Sequence, residues 1–230
     1  MKYNLKKLLF FAPLMTLMFC FNSPQNDEEK MQTIMISVKN TLSYLHYSPK
    51  PINDAYSADV FDKYLEMMDP AKKFLLQSDV DEFIKHKTKL DDYLNKGDLS
   101  FFNLTVDRLS ARTKEVEKLS QDILSKPINF DEKEELILEP KLKSYPKNQE
   151  ELRAEWKKFI KYNILQEIET LNAKEETQKE KKDSVTRFKL KDTIKLQILS
   201  PQEKQIRATE EVKDLLTSMF KRYDKRKKMD

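Results

Sequence analysis

The sequence predicts an all-α protein: an irregular multi-helix domain with an extended, proline-containing segment near residues 127–147 and a long C-terminal helix. Three observations carry this. The 230 residues include a single glycine, Gly97, whereas sheets joined by tight hairpin turns lean on glycine for positive φ. Apolar residues make up 39%, with 13 Phe and 9 Tyr, against 36% charged residues, so the chain is polar yet able to bury a core. The apolar residues recur at steps of three and four rather than two.

The first element is not part of the fold. Lys2, Lys6 and Lys7 precede an apolar run from Leu8 to Phe21 that contains Pro13, shorter than the roughly 20 residues of a membrane span. Residues 1–22 therefore read as a secretory signal peptide, with an uncleaved membrane anchor as the alternative, and the mature chain is expected in the periplasm or cell envelope. Cys20, the only cysteine, stands where a lipid would be attached, although Phe19 occupies a position where a small residue is expected. Removal of the segment leaves no thiol and no disulfide framework.

Met31, Ile34, Met35, Val38, Leu42 and Leu45 predict a first helix with one buried stripe. His46-Tyr47-Ser48-Pro49-Lys50-Pro51 breaks it. Asn53 caps a second helix carrying Val60, Phe61, Tyr64, Leu65 and Met68 inward, which Asp69-Pro70 ends. After Phe74-Leu75-Leu76, Ser78 is expected to cap a third helix that shows Val80, Phe83, Ile84, Leu90 and Leu94, its positive end complemented by Asp79, Asp81 and Glu82. Gly97 then supplies a left-handed stop. From Leu99 to about Ser125, Phe102, Val106, Leu109, Val116 and Ile123 give bundle spacing, with Thr113 and Ser120 weakening the seam.

Pro127, Pro140 and Pro146 keep the segment from 127 to 147 out of helix, and Leu136-Ile137-Leu138 within it suits either one short strand or an extended arm. Asn148 with Glu151 forms a capping-box pattern before the strongest stripe, Leu152, Trp156, Phe159, Ile160, Ile164, Ile168 and Leu171. Residues 23–173 thus form the helical domain. Residues 174–199 are a charged linker or a helix extension, with apolar content returning at Leu190, Ile194, Leu196, Ile198 and Leu199. Residues 200–230 are a final helix started by Ser200-Pro201-Gln202-Glu203 and carrying Val212, Leu215, Leu216, Met219, Phe220 and Tyr223.

Chemistry finds little foothold. Gly-rich phosphate loops, dinucleotide fingerprints and nucleophile elbows need glycines that are absent. His46 and His86 lie on different elements without ligand spacing, so no metal site is expected. Asp79, Asp81 and Glu82 lack the glycine of a calcium loop, and Asp91 and Asp92 read as a solvated face rather than an acid–base pair. No catalytic residue, metal or cofactor is expected within the chain. The net charge of +4 does not imply nucleic acid. The basic run Lys221, Arg222, Lys225, Arg226, Lys227 and Lys228, beside Tyr223, offsets a helix dipole and keeps the end soluble. Asn103-Leu104-Thr105 is formally a glycosylation sequon, but it falls within a predicted helix. Of the aromatics Trp156, Tyr162, Phe101 and Phe102, the periodic stripes assign Phe102 and Trp156 to the core.

Three stretches carry a resemblance. His46-Tyr47-Ser48-Pro49 with Asp69-Pro70-Ala71-Lys72-Lys73-Phe74-Leu75-Leu76-Gln77-Ser78-Asp79-Val80-Asp81-Glu82-Phe83, then Gly97-Asp98-Leu99-Ser100-Phe101-Phe102, then Tyr145-Pro146-Lys147-Asn148 through Trp156 to Tyr162, resemble the N-terminal domain of tail-specific proteases, the carboxy-terminal processing peptidases. The resemblance covers most of residues 40–165. It implies an exported envelope serine protease with a helical N-terminal domain, a PDZ domain that engages substrate C-termini, and a serine with a lysine base. The chain is expected to stop about where those later regions would begin, and no residue here inherits the serine or lysine role. The expected function is a non-catalytic helical module for scaffolding and for substrate or partner contact, its partner a protein or the protease and PDZ portion. The alternative is an independent envelope interaction protein that binds a partner helix or a membrane surface. Otherwise membrane contact would come only through the signal segment or a lipid at Cys20.

Overall fold

A computed structural model describes residues 27–187 and 198–229, with the side chains of 182–187 and 226–229 outside the description. The expected signal segment, Cys20, Leu190, Ile194 and Leu196 therefore lie outside the described residues. Those described form seven α-helices: α1 (Asp27–Tyr44), α2 (Asp54–Met68), α3 (Gln77–Ile84), α4 (Leu90–Lys96), α5 (Ser100–Leu124), α6 (Gln149–Arg187) and α7 (Pro201–Met229), with a 3₁₀ turn at Pro140–Leu142. No strand forms among them, so the all-α expectation holds.

The helix boundaries follow local hydrogen-bonding chemistry. Asn53 Oδ1 accepts the Tyr56 N–H at 3.1 Å to start α2, and Asn148 Oδ1 accepts the Glu151 N–H at 2.9 Å to start α6. Ser200 and Glu203 exchange both bonds of a capping box at α7. Gly97, at φ 67° and ψ 28°, closes α4 in the left-handed region. The charged stretch after Lys174 is helical as far as Arg187. The 39 residues of α6 make a rod about 58 Å long.

Two hydrophobic cores are built. The larger gathers Val116 and Ile123 of α5, Leu152, Trp156, Ile160 and Ile164 of α6, and Ala208, Val212, Leu216 and Phe220 of α7. The smaller gathers Phe61, Leu75, Phe83, Leu90 and Phe101. α6 and α7 pack along each other and against α5, while α2 packs on α4.

Several expectations are corrected. The single helix read through Val80 to Leu94 is two: turns at residues 85–89, with Lys85, His86, Lys87 and Lys89 bonding back three residues, separate α3 from α4. The break lets Leu90 return to the core and lets the Ser57 hydroxyl donate to Asp91 Oδ1 at 2.6 Å. α3 starts at Gln77, and exposed Ser78 is not its cap. On α5 the inward aromatic is Phe101, touching Phe61, Tyr64, Phe83, His86 and Tyr93, and Phe102 is 38% exposed. The largest correction concerns α1. Its stripe is not buried: Ile34 is 60% exposed and Val38 53%, and no residue of the helix is fully buried. α1 sits instead on α4, through the face bearing Gln32 and Ile36, whose side chains approach Gly97.

Candidate interaction surfaces and the junction that positions them

The segment between α2 and α3 joins the two cores. Its backbone alternates, sending Phe74 and Leu76 into the larger core and Leu75 into the smaller. An extended stretch buried between cores has no ladder to satisfy its amides. Two buried carboxylates do so. Asp69 accepts the N–H groups of Lys73, Phe74 and Leu75 at 2.9–3.0 Å, and Asp79 accepts that of Leu76 at 2.9 Å. The Trp156 indole N–H donates to the Lys73 carbonyl at 2.7 Å, and the Gln77 N–H to the Pro146 carbonyl at 2.8 Å. Lys72, at φ 49°, is the only non-glycine with positive φ among the described residues, and it turns the chain into this run.

Asp79 does more than complement a helix dipole. It is fully buried and takes two guanidinium groups of α5, Arg108 Nη1 at 2.5 Å and Arg112 Nε at 2.7 Å. Arg108 also reaches Glu82, and Arg112 reaches Glu115. Burial alone would raise the Asp79 carboxyl, but the bonds from Arg112, the Leu76 N–H and Arg108 hold it below the ordinary carboxylate value. The i, i+4 spacing of Arg108 and Arg112 was the sequence signal for one shared anion.

Beside the junction Lys73 Nζ lies 3.2 Å from the centre of the Phe159 ring. Burial first, and then neighbouring Lys143, pull its ammonium down to about 8 against the opposing pull of Asp69. Lys72 Nζ donates to the Lys143 carbonyl, and Lys143 pairs with Glu155 at 3.2 Å. Lys72 thus ties the arm after α5 to the junction, and Lys143 ties it to α6.

The remaining expected residues are dispersed. His86 Nδ1 lies 2.6 Å from the Tyr93 hydroxyl and its ring lies tilted 5.2 Å from that of Phe101; exposed His46 accepts the Ser48 N–H. Asp91 is bound to Ser57, while Asp92 faces solvent. Among the described residues no group of three His, Cys, Asp or Glu side chains converges as a metal-ligand set. Trp156 is buried against Phe74, Phe159 and Phe220, and Tyr162 is half-buried.

What the described surface offers is apolar. Met31, Ile34, Val38, Leu42 and Leu45 form an outward stripe on α1, with three- and four-residue steps that suit another helix. A groove of about 470 Å³ runs between α2, α5 and α7, lined by Tyr64, Met67, Met68, Val106, Leu109 and Tyr223. No described helix is long and apolar enough to cross a membrane.

Residues 38–229 match the family model described as the tail specific protease N-terminal domain. The chain is also similar to a tail-specific protease of Haemophilus influenzae, 27% identical over 141 residues, which cover 61% of this chain and 20% of that protein. The match thus spans about a fifth of that protein's length.

Proposed function

The chain belongs to the tail-specific protease N-terminal domain family, and on that premise we propose that it is the non-catalytic helical module of an exported tail-specific serine protease. Its role is to scaffold the enzyme and to contact substrate or partner protein in the periplasm. The observation that carries this reading is the outward stripe of α1. A helix that rests on its own body through Gln32 and Ile36 and turns Ile34 and Val38 to solvent has an apolar side free for another surface. The spacing favours a helix of the protease or of a partner. A negatively charged membrane surface is a poorer fit, because the first turn of α1 carries Asp27, Glu28 and Glu29.

The test is a pull-down with a tail-specific protease from which its own N-terminal domain has been removed. Wild-type residues 23–230 retain that protein, and the double variant Ile34→Glu, Val38→Glu does not. The chain alone leaves a peptide with an unstructured C-terminus intact. Cleavage that disappears when one of its serines is replaced would overturn the non-catalytic reading. Equal retention of wild type and variant would remove α1 from it. Binding to vesicles instead of the protease remainder would favour an independent envelope protein.

A further inference from the structure

The arm between α5 and α6 is anchored at both ends and bare in the middle. Ile128 and Phe130 pack against the larger core, and Lys161 Nζ donates to the Glu132 carbonyl at 3.0 Å and to Glu134 at 2.7 Å. At the far end Tyr145 packs on the smaller core and Pro146 accepts the Gln77 N–H. From Lys133 to Glu139 the backbone has no helix, turn or bend. Among the described residues no hydrogen bond reaches the main-chain groups of residues 133–138. The run is apolar at its centre: Leu136 is half-buried, and Ile137 and Leu138 are 50% and 62% exposed. A straight stretch with open amides, open carbonyls and apolar side chains is a template for another strand.

The order of charges says which strand. Residues 131–141 read Asp-Glu-Lys-Glu-Glu-Leu-Ile-Leu-Glu-Pro-Lys. Laid antiparallel on an identical segment about a two-fold axis through Leu136, Lys133 falls opposite Glu139 and Asp131 opposite Lys141, each pair occurring twice. Leu136 meets Leu136 on the axis. Parallel in-register pairing would instead set Glu134, Glu135 and Glu139 each beside its own copy, and like charges directly opposite are destabilising. Pro140, which has no N–H, ends the run at the C-terminal side.

We propose that Lys133–Glu139 pairs antiparallel with the same segment of a second copy of this chain, centred on Leu136. Seven residues a side fall short of a standard stable interface, so the association is weak and concentration-dependent. It is separate from the α1 stripe, which lies on a different element.

Residues 23–230 include every described helix and no cysteine, which suits both measurements. Sedimentation equilibrium of this span shows a reversible dimer at high protein concentration. Lys133→Glu and Glu139→Lys each weaken it about tenfold, since each sets two like-charged pairs opposite one another, and the double variant restores it. Under mild oxidation Leu136→Cys gives a disulfide-linked dimer, because directly opposed strand residues lie about 4.5–5.5 Å apart. Leu138→Cys does not, its own copy being about 13 Å along the pair. A chain that stays monomeric, a double variant that fails to recover, or equal cross-linking at 136 and 138 overturns the proposal. So does a dimer abolished by Ile34→Glu and indifferent to Lys133→Glu, which would assign self-association to α1.

Discussion

α6 and α1 carry apolar stripes of the same spacing and treat them in opposite ways. On α6, Leu152, Trp156, Ile160 and Ile164 are buried between α5 and α7. On α1, Ile34 and Val38 face solvent while the helix rests on α4 through Gln32 and Ile36. Periodicity reports that a helix has an apolar side, but which neighbour covers that side depends on the whole arrangement. The same spacing therefore gives a core face on one helix and an exposed face on the other.

The contrast can be broken by substitution. Trp156→Ala is expected to cost about 3–5 kcal/mol, because it empties the larger core and orphans the Lys73 carbonyl; the urea midpoint measures this. A near-neutral result with lost binding would move Trp156 to an interface.

Asp79→Asn is expected to cost about 2–3 kcal/mol at pH 7, less than a fully buried pair because Arg108 and Arg112 keep partial solvent contact. The folded carboxyl is held below its ordinary value. Its contribution is therefore present above the unfolded value of about 4 and is lost as pH falls through the lower folded value. Urea titrations carried from pH 7 into acid should show the difference between wild type and variant shrinking as the pH falls below the unfolded value. A constant difference would mean that the network does not depend on that charge.

Lys73→Met probes the neighbouring cation. With its folded value pulled down to about 8, stability gained above the unfolded value near 10.4 is lost as pH falls through about 8. At pH 7 the variant is expected to be more stable by about 1 kcal/mol, after allowing for partial solvation and the lost ring contact. Comparing denaturation at pH 7 and pH 10 checks it, since the gain should shrink at the higher pH.

The smallest effect on stability belongs to Ile34→Glu, Val38→Glu, expected within about 0.5 kcal/mol of wild type although both positions are apolar. A loss as large as that at Trp156 would show that the α1 stripe is covered within the chain, and the contrast would collapse.

The features legible in the sequence are those written in neighbouring residues. Asn53, Asn148 with Glu151, and Ser200 with Glu203 mark helix starts by contacts three residues long, and Gly97 marks an end through its own φ. The α6 stripe is legible because it is long. Other features depend on distant partners. Asp79 reads as an exposed dipole partner until Arg108 and Arg112, 29 and 33 residues away, enclose it. Phe101 displaces Phe102 from the core because the start of α5 is oriented by Phe61, Phe83 and Tyr93. The division of α3 from α4 has no proline or glycine to announce it; it depends on Leu90 and Asp91 finding partners on α2 and α5.

The contact at Gly97 has a kinetic consequence. An added Cβ there would stand 3.1 Å from Ile36 Cδ1, so α1 rests against a position where only a hydrogen fits comfortably, and none of its residues is fully buried. A helix held so lightly opens without unfolding the cores, and its amides should exchange with solvent far sooner than those of α6. Any molecule that settles on Ile34 and Val38 must then hold α1 in place as well as touch it. Its grip would be readable as slowed exchange along the helix, including at residues it never contacts.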